Sequence, residues 1–247
     1  MKNPFSLEGK TILITGASSG IGKAIAIECS KMGAKLVLSG RDEERLKELV
    51  SYLSSNINEV IIADLTDQDD RNTLCSKVKC LNGLVYSAGI VKALPFKYFN
   101  EKYLDDVMDI NFKSAVLLAS KLAKEKKFLK SSSIVFISSI SGNLVTSTAN
   151  AAYCASKSAL NGIAKGMALE LAPSGIRVNT IMPGIVRTKL LTDIPMDEEQ
   201  MALDQKKYPL GYGEPIDVAL AGVYLLSDAS KWMTGSNILL DGGYTLL

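Results

Sequence analysis

The sequence predicts an α/β fold in which a doubly wound, seven-stranded parallel sheet carries helices on both faces. Short apolar segments rich in β-branched residues alternate along the chain with longer amphipathic segments. Most of the short segments are apolar at every position, which is typical of strands that are buried on both faces. Strands and helices that alternate at this spacing form a parallel sheet through right-handed crossovers.

Seven segments have the pattern of strands and six have the pattern of helices. The predicted strands span residues 10–15, 35–39, 60–63, 84–87, 134–138, 176–181 and 237–240. The predicted helices span residues 20–32, 42–53, 67–78, 101–127, 152–171 and 215–226. Residues 187–213 are a long irregular segment, and such loops are usually functional, which predicts a substrate lid. Because neither a repeat nor a linker divides the chain, we expect residues 1–247 to form a single domain.

Composition excludes several functional classes. The chain has 28 Lys and Arg against 26 Asp and Glu, and this balance predicts no nucleic-acid or membrane partner. It has no histidine, which excludes histidine bases and histidine metal ligands. Cys29, Cys75, Cys80 and Cys154 form no C-x-x-C pair, so we expect no metal site and a reducing compartment. Without a signal peptide or an apolar run of about 20 residues, the protein is expected to be cytoplasmic.

A glycine-rich loop joins the first strand to the first helix. Residues 15–22 read Thr-Gly-Ala-Ser-Ser-Gly-Ile-Gly. Glycines allow a tight turn and a close approach to a pyrophosphate, which then lies on the free N–H groups of the helix. A strand, this loop and a helix in succession predict dinucleotide binding more strongly than an ordinary turn.

The end of the second strand bears on the choice of nicotinamide cofactor. NAD-binding proteins place a carboxylate there, about 20 residues after the loop, to bind the ribose 2′-hydroxyl. This chain has Gly40 at that position, followed by Arg41. A guanidinium can bind a 2′-phosphate bidentately, so the residues favour NADP(H) over NAD(H).

The segment around Tyr153 carries the candidate catalytic groups. Tyr153 and Lys157 are four residues apart on a predicted helix and therefore share one face. A nearby cation lowers the pKa of a tyrosine and makes it a usable acid or base near neutral pH. Ser138 and Ser139 end the preceding strand, where a hydroxyl can bind a substrate oxygen that gains negative charge.

With these motifs in this order, the chain resembles the short-chain dehydrogenase/reductase family over nearly its whole length. The resemblance implies a Rossmann fold with strand order 3-2-1-4-5-6-7. It also implies four catalytic residues. Asn111 would bend its helix and hold a water, Ser139 would orient the substrate oxygen, Tyr153 would be the acid/base, and Lys157 would bind the nicotinamide ribose and lower the tyrosine pKa. Ser138 remains the alternative serine.

The resemblance implies a set of cofactor-binding residues as well. Besides Tyr153 and Lys157, they are Gly16, Ser18, Ser19, Gly20, Ile21, Gly22, Arg41, Asp64, Leu65, Ala88, Gly89, Pro183, Gly184, Val186 and Thr188. Members that use NADP often have a basic residue where this chain has Ser19, so Arg41 must carry the phosphate preference. Tyr86 and Ser87 replace the family's usual pair of asparagines.

The substrate is expected to lie between residues 143–150, the lid and the segment after Gly89. Candidate substrate contacts are Asn143, Leu144, Val145, Thr146, Thr148, Met196, Met201, Tyr208 and Tyr212. The resemblance is nearest to the 3-oxoacyl-carrier-protein reductase branch, which makes an acyl carrier protein a candidate partner. Lys124, Lys126, Lys127 and Lys130 could dock an acidic carrier, although Ser174 stands where that branch has a basic residue. A non-catalytic dinucleotide sensor is the remaining alternative.

A homotetramer is the expected assembly. The family pairs the predicted helices 101–127 and 152–171 across a two-fold axis, which would bury the same patch on both subunits. In the second helix, Ala155, Ser158, Gly162 and Gly166 form a stripe of small residues suited to close helix packing. An apolar C-terminus, Tyr244 to Leu247, is expected to join the assembly.

Overall fold

The computed structural model describes residues 3–54, 57–192 and 197–246. Its sheet has seven parallel strands in the order β3-β2-β1-β4-β5-β6-β7, which confirms the predicted topology. The strands are β1 (Thr11–Thr15), β2 (Lys35–Gly40), β3 (Ile57–Ile62), β4 (Leu81–Tyr86), β5 (Phe128–Ile137), β6 (Arg177–Pro183) and β7 (Asn237–Leu240). The largest difference from the predicted bounds is in β5, which begins six residues earlier than the apolar run 134–138.

Nine α-helices occur in the described part of the chain. They are α1 (Gly20–Lys31), α2 (Glu43–Val50), α3 (Gln68–Lys77), α4 (Glu101–Met108), α5 (Ser114–Lys124), α6 (Ala151–Leu171), α7 (Lys189–Thr192), α8 (Glu198–Gln205) and α9 (Pro215–Leu226). Helices α1, α2, α3, α6 and α9 match predicted helices to within three residues at either end.

Each face of the sheet buries its own hydrophobic core. Successive side chains of a strand point to opposite faces, so Leu13 of β1 belongs to one core while Ile12 and Ile14 belong to the other. Helices α3, α5 and α6 cover the first face, and α1, α2 and α9 cover the second. The sheet is thus buried on both sides, as the continuously apolar strands predict.

The single helix predicted over residues 101–127 was wrong, because one π-helical turn interrupts it. The turn spans Asp109–Lys113 and separates α4 from α5, which ends at Lys124. The Ser114 hydroxyl donates a hydrogen bond to the Asp109 carbonyl at 2.6 Å and so satisfies a carbonyl in the wider turn. The turn brings the fully buried Asn111 toward the neighbouring helix α6.

The prediction that residues 187–213 are irregular was also wrong. The described part of this segment contains α7 and α8, and α8 starts with a reciprocal capping box between Asp197 and Gln200. Met196, a candidate substrate contact, lies outside the described residues. After α8, the Tyr212 hydroxyl donates a hydrogen bond to the Asp204 carboxylate at 2.9 Å, which ties the end of the segment to the helix.

Candidate active site

A cavity of about 1060 Å³ opens at the carboxyl ends of the strands. Ligands of doubly wound sheets bind at this edge, near the point where the strand order reverses. Here that point lies between β1 and β4, and residues following both strands line the cavity. The volume suits a large ligand, since pockets for drug-sized molecules hold about 300–1,000 Å³.

The glycine-rich loop forms one wall of this cavity and fits a dinucleotide. Gly16 and Gly20 have φ of +64° and +53°, which favour glycine. A Cβ at Gly16 would lie 2.7 Å from the Ala88 backbone nitrogen, and one at Gly22 would collide with the Gly16 carbonyl oxygen. The Ser19 side chain makes no capping hydrogen bond to α1. The first N–H groups of α1 are therefore available to phosphate oxygens.

Asn111 fixes the turn after β4. Its Oδ1 accepts a hydrogen bond from the Ile90 N–H at 2.8 Å, and its Nδ2 donates to the Ile90 carbonyl and to the Ser156 hydroxyl, both at 3.0 Å. A Cβ on Gly89 would lie 3.1 Å from Asn111 Oδ1 and 3.3 Å from Lys157 Nζ. Asn111 thus holds the Gly89 turn against helix α6 from behind, without lining the cavity itself.

Tyr153 and Lys157 both face the cavity from the first turns of α6. Burial raises the pKa of Tyr153 to about 12, although an interaction with the Ser139 hydroxyl acts in the opposite direction. Lys157 Nζ lies 5.7 Å from the centre of the Tyr153 ring. The lowering of the tyrosine pKa that the sequence predicts is therefore not found in the protein alone, where burial dominates.

Lys157 is a buried cation held by a backbone carbonyl. Its Nζ donates a hydrogen bond to the Ile137 carbonyl at 2.9 Å. Burial lowers the pKa of Lys157 to about 8, because the charged form loses water and gains no carboxylate among the described residues. Two of the three ammonium donors remain available to a ligand.

The two serines after β5 have different environments. The Ser138 hydroxyl donates a hydrogen bond to the Lys157 carbonyl at 2.9 Å and is fully committed to anchoring α6. The Ser139 hydroxyl oxygen accepts a bond from the Ser141 N–H at 3.0 Å, which leaves its proton available. Both serines line the cavity, but only Ser139 interacts with the Tyr153 side chain. Of the two hydroxyl groups, only that of Ser139 is free of a hydrogen bond to the α6 backbone.

Gly40, Arg41, Ala63 and Leu65 bound the end of the cavity beside β2 and β3. The sequence predicts the adenosine of the cofactor there, and we call this part the adenosine end. Arg41 is two-thirds exposed, and its Nη1 lies 3.8 Å from Asp64 Oδ2. Burial raises the pKa of Asp64, but hydrogen bonds from Thr66 and the Arg41 charge outweigh it, so the net shift is downward. Asp64 therefore stands behind the cavity wall as an ionised partner of Arg41.

The structure assigns the expected substrate contacts to different places. Val145, Thr146, Thr148 and Tyr208 line the cavity, whereas Asn143, Leu144, Met201 and Tyr212 do not. Tyr208 stacks on Tyr244 with ring centres 4.5 Å apart, and both rings line the cavity. The Asp241 carboxylate holds this C-terminal turn through the Thr245 N–H at 2.9 Å and the Thr245 hydroxyl at 2.6 Å.

Two of the predicted cofactor contacts, Gly22 and Asp64, do not line the cavity, and Gly22 lies behind the loop against the Gly16 carbonyl. Besides Tyr153 and Lys157, the predicted contacts that line it are Gly16, Ser18, Ser19, Gly20, Ile21, Arg41, Leu65, Ala88, Gly89, Pro183, Gly184, Val186 and Thr188. Sequence reasoning missed Arg45 and Tyr244, which also line it. Because Arg45 lies four residues after Arg41 at the start of a predicted helix, its place in the cavity could have been predicted from the sequence. The residues next to Tyr244 in the sequence do not indicate that it lines the cavity.

Comparisons with known proteins agree with this arrangement. Residues 16–245 match a protein-family model described as enoyl-(acyl carrier protein) reductase. The chain is 38% identical to the 3-oxoacyl-[acyl-carrier-protein] reductase FabG of Rickettsia prowazekii over 98% of this chain and 99% of that protein.

Two solved structures of dehydrogenases resemble this chain over nearly its whole length. A short-chain type dehydrogenase/reductase from Mycobacterium marinum has a TM-score of 0.89 at 32% identity, with coverage of 99% of this chain and 98% of that one. A putative NAD(P)-dependent gluconate 5-dehydrogenase from Beutenbergia cavernae, with bound NADP at low occupancy, has a TM-score of 0.89 at 30% identity over 99% and 100% of the two chains. The chain belongs to the short-chain dehydrogenase/reductase family and is an NAD(P)-dependent oxidoreductase that interconverts a carbonyl and an alcohol.

Proposed function

We propose that Tyr153 is the acid/base of this reaction, with Ser139 and Lys157 as its partners. The observation that carries the proposal is that all three side chains line one cavity together with the glycine-rich loop. A nicotinamide dinucleotide bound there supplies or accepts the hydride. During carbonyl reduction the Tyr153 hydroxyl donates its proton to the substrate oxygen, and during alcohol oxidation it takes that proton back.

Each partner has a distinct task in this proposal. The Ser139 hydroxyl donates to the substrate oxygen and stabilises its growing negative charge. Lys157 binds the nicotinamide ribose through its free donors and keeps a positive charge near the tyrosine. Asn111 holds the turn at Gly89 and so positions the ribose-side wall. The glycine-rich loop and the α1 N-terminus bind the pyrophosphate, while Val186 and Thr188 lie on the nicotinamide side.

Replacement of Tyr153 by Phe tests this assignment. We expect kcat for carbonyl reduction to fall by about 10²–10⁴-fold, the range of general acid–base catalysis, with cofactor affinity unchanged. Tyr98→Phe, at an exposed tyrosine, serves as the matched control and should retain full activity. Near-normal turnover in Tyr153→Phe would assign the acid to another group. Ser139→Ala should also lower kcat, whereas Ser138→Ala should act mainly on stability.

We also propose that NADP(H) is the preferred cofactor, because Arg41 faces the adenosine end and Gly40 places no carboxylate there. Gly40→Asp with Arg41→Ala should invert the preference, since the pair adds repulsion and removes attraction. The substitution fits, because a Cβ at Gly40 has no contact closer than 3.5 Å. The kcat/KM values for NADPH and NADH are the measurement, and equal values in the unmodified protein would contradict the proposal.

Reduction of an acyl-carrier-protein substrate is the second candidate function, and the full-length similarity to FabG supports it. Lys124 ends α5, and Lys126, Lys127 and Lys130 follow at the amino end of β5, opposite the catalytic edge of the sheet. A ten-residue strand spans about 30 Å, so a carrier bound there needs a long prosthetic arm. Charge reversal at Lys126 and Lys130 should raise KM for acetoacetyl-carrier protein but not for acetoacetyl-coenzyme A if this docking occurs.

We propose that residues 1–247 form one dinucleotide-binding domain, that residues 187–213 act as the substrate lid, and that the protein is a cytoplasmic homotetramer. All four cysteines are free thiols, which suits a reducing compartment. No helix in the described residues is long and apolar enough to cross a bilayer.

A further inference from the structure

Arg45 lines the adenosine end of the cavity alongside Arg41, four residues earlier. It lies in the first turn of α2, and Asp42, the N-cap of that helix, holds it at two points. Asp42 Oδ1 accepts a hydrogen bond from the Arg45 backbone N–H at 3.0 Å, and Asp42 Oδ2 lies 3.1 Å from Arg45 Nε. Within the described residues, the terminal Nη groups of Arg45 have no hydrogen-bond acceptor.

The charges around this end leave the terminal donors of Arg45 free and give Arg41 one long contact, 3.8 Å from its Nη1 to Asp64 Oδ2. Asp64 accepts bonds from the Thr66 N–H at 2.9 Å and the Thr66 hydroxyl at 2.7 Å, and it lies outside the cavity wall. Asp42 does line the cavity, but both of its carboxylate oxygens face Arg45. Without Arg45, the uncompensated Asp42 carboxylate would repel an anion at this position.

We propose that Arg45 is the second guanidinium of a two-arginine site for a phosphate monoester on the adenosine ribose. The inference rests on the proposed use of NADP(H). A phosphate dianion has three acceptor oxygens and suits two planar guanidinium groups that approach it from different elements. Arg41 reaches the site from the end of β2, and Arg45 reaches it from α2. Arg45 also neutralises Asp42, so its contribution combines attraction with removal of repulsion.

The test is a comparison of cofactor affinities in the full-length protein. Dissociation constants for NADP⁺, NAD⁺ and 2′,5′-ADP are measured by calorimetry for Arg45→Gln, Arg45→Lys and Arg41→Gln. Lys47→Gln is the matched control, because Lys47 lies on the same helix, pairs with Glu43 at 2.8 Å and does not line the cavity. All three sites are exposed, and melting temperatures verify that each variant folds.

We expect Arg45→Gln to raise the dissociation constants of NADP⁺ and 2′,5′-ADP about ten-fold, as for the loss of an exposed charge-assisted contact. The dissociation constant of NAD⁺ should change by no more than about two-fold. Arg45→Lys should recover part of the lost affinity, because lysine retains the positive charge but lacks the planar guanidinium that can bind a phosphate bidentately. The loss should shrink at high salt, which screens exposed charges.

Three results would overturn the inference, each in a distinguishable way. If Arg45→Gln leaves NADP⁺ affinity unchanged while Arg41→Gln weakens it, Arg45 only neutralises Asp42 and does not bind the phosphate. The proposed cofactor preference then still stands. If NADP⁺ and NAD⁺ bind the unmodified protein equally, the cofactor preference fails and the two-arginine site fails with it. Equal weakening of NADP⁺ and NAD⁺ by Arg45→Gln would indicate a structural role and also contradict the inference.

Discussion

At the scale of single residues, the buried Lys157 lowers the stability of the folded protein. The ammonium group is buried and has one carbonyl partner at 2.9 Å, with no ion pair among the described residues. Burial lowers its pKa to about 8 from an ordinary value of 10.5. A shift of this size corresponds to roughly 3 kcal/mol of destabilisation at neutral pH. Active sites commonly retain such groups because the chemistry requires them.

Lys157→Met should therefore stabilise the protein while abolishing its activity. At pH 7 both the folded and unfolded states carry the charge, so the variant gains the full benefit of about 2–3 kcal/mol. Between pH 8 and pH 10.5 the folded lysine is neutral while the unfolded one is still charged, and the benefit shrinks as pH rises. Urea unfolding at pH 7 and pH 10 measures this difference. A loss of stability at pH 7, or the same gain at an exposed site in Lys231→Met, would contradict the argument.

At the scale of secondary-structure elements, a second buried cation joins β6 to the region around α9. Arg177 Nη2 donates to the Leu225 and Ser227 carbonyls at 2.8 and 3.2 Å, and Nη1 donates to the Ser230 hydroxyl at 2.9 Å. These acceptors lie at the end of α9 and in the turn that follows it. The guanidinium therefore fixes the position of the segment that joins α9 to β7. Tyr244, which lines the cavity, follows the carboxyl end of β7.

Removal of this guanidinium should cost more than an ordinary surface substitution. Arg177→Ala removes several buried, charge-assisted hydrogen bonds to carbonyl groups, and we expect the free energy of unfolding to fall by about 3–5 kcal/mol. Arg177→Lys, which retains the charge but makes fewer bonds, should give an intermediate loss. Lys35→Ala, at an exposed lysine, is the control and should change stability by about 0.5 kcal/mol or less. Equal stabilities for Arg177→Ala and the control would show that the network contributes nothing.

At the scale of the whole molecule, one exposed helix face suits contact with a second copy. A Cβ at Gly162 or Gly166 of α6 would meet no other atom within 4 Å. Ala155 on the same helix is exposed, and the nearby Leu169 side chain is 79% exposed. Glycine in a helix interior costs about 1 kcal/mol relative to alanine, which points to close packing against a partner helix.

Gly162→Leu should therefore separate the subunits without unfolding them. The larger side chain blocks close helix approach, while the isolated chain has room for it and gains helix propensity. Light scattering coupled to size exclusion should show a tetramer of 26.5 kDa subunits for the unmodified protein and a smaller species for the variant. Ser76→Leu on the exposed side of α3 controls for added apolar surface. A stable 26.5 kDa species in the unmodified protein at micromolar concentration would contradict the assembly.

The features that depend on local pattern could be predicted from the amino-acid sequence. Continuous apolar strands predicted a sheet buried on both faces, and the strand–glycine loop–helix order predicted the dinucleotide wall. Tyr153 and Lys157 share a helical face because four residues make about one turn. The sequence also predicted that Arg41 directly follows the second strand, which ends at Gly40 and provides no carboxylate.

The features that depend on contacts between distant segments could not be predicted from local pattern and were found in the folded chain. The hydrophobic pattern of residues 109–113 is that of an ordinary helix; the family resemblance implies a bend at Asn111, but its π-helical form and the bonds of Asn111 to Ile90 and Ser156 appear only in the structure. Ser138 and Ser139 are equivalent in sequence, but the pleat of the strand end turns one hydroxyl to the Lys157 carbonyl and the other toward Tyr153. Burial of Arg177 and of Lys157 is likewise invisible to charge counting, because the desolvation of a cation depends on what packs around it.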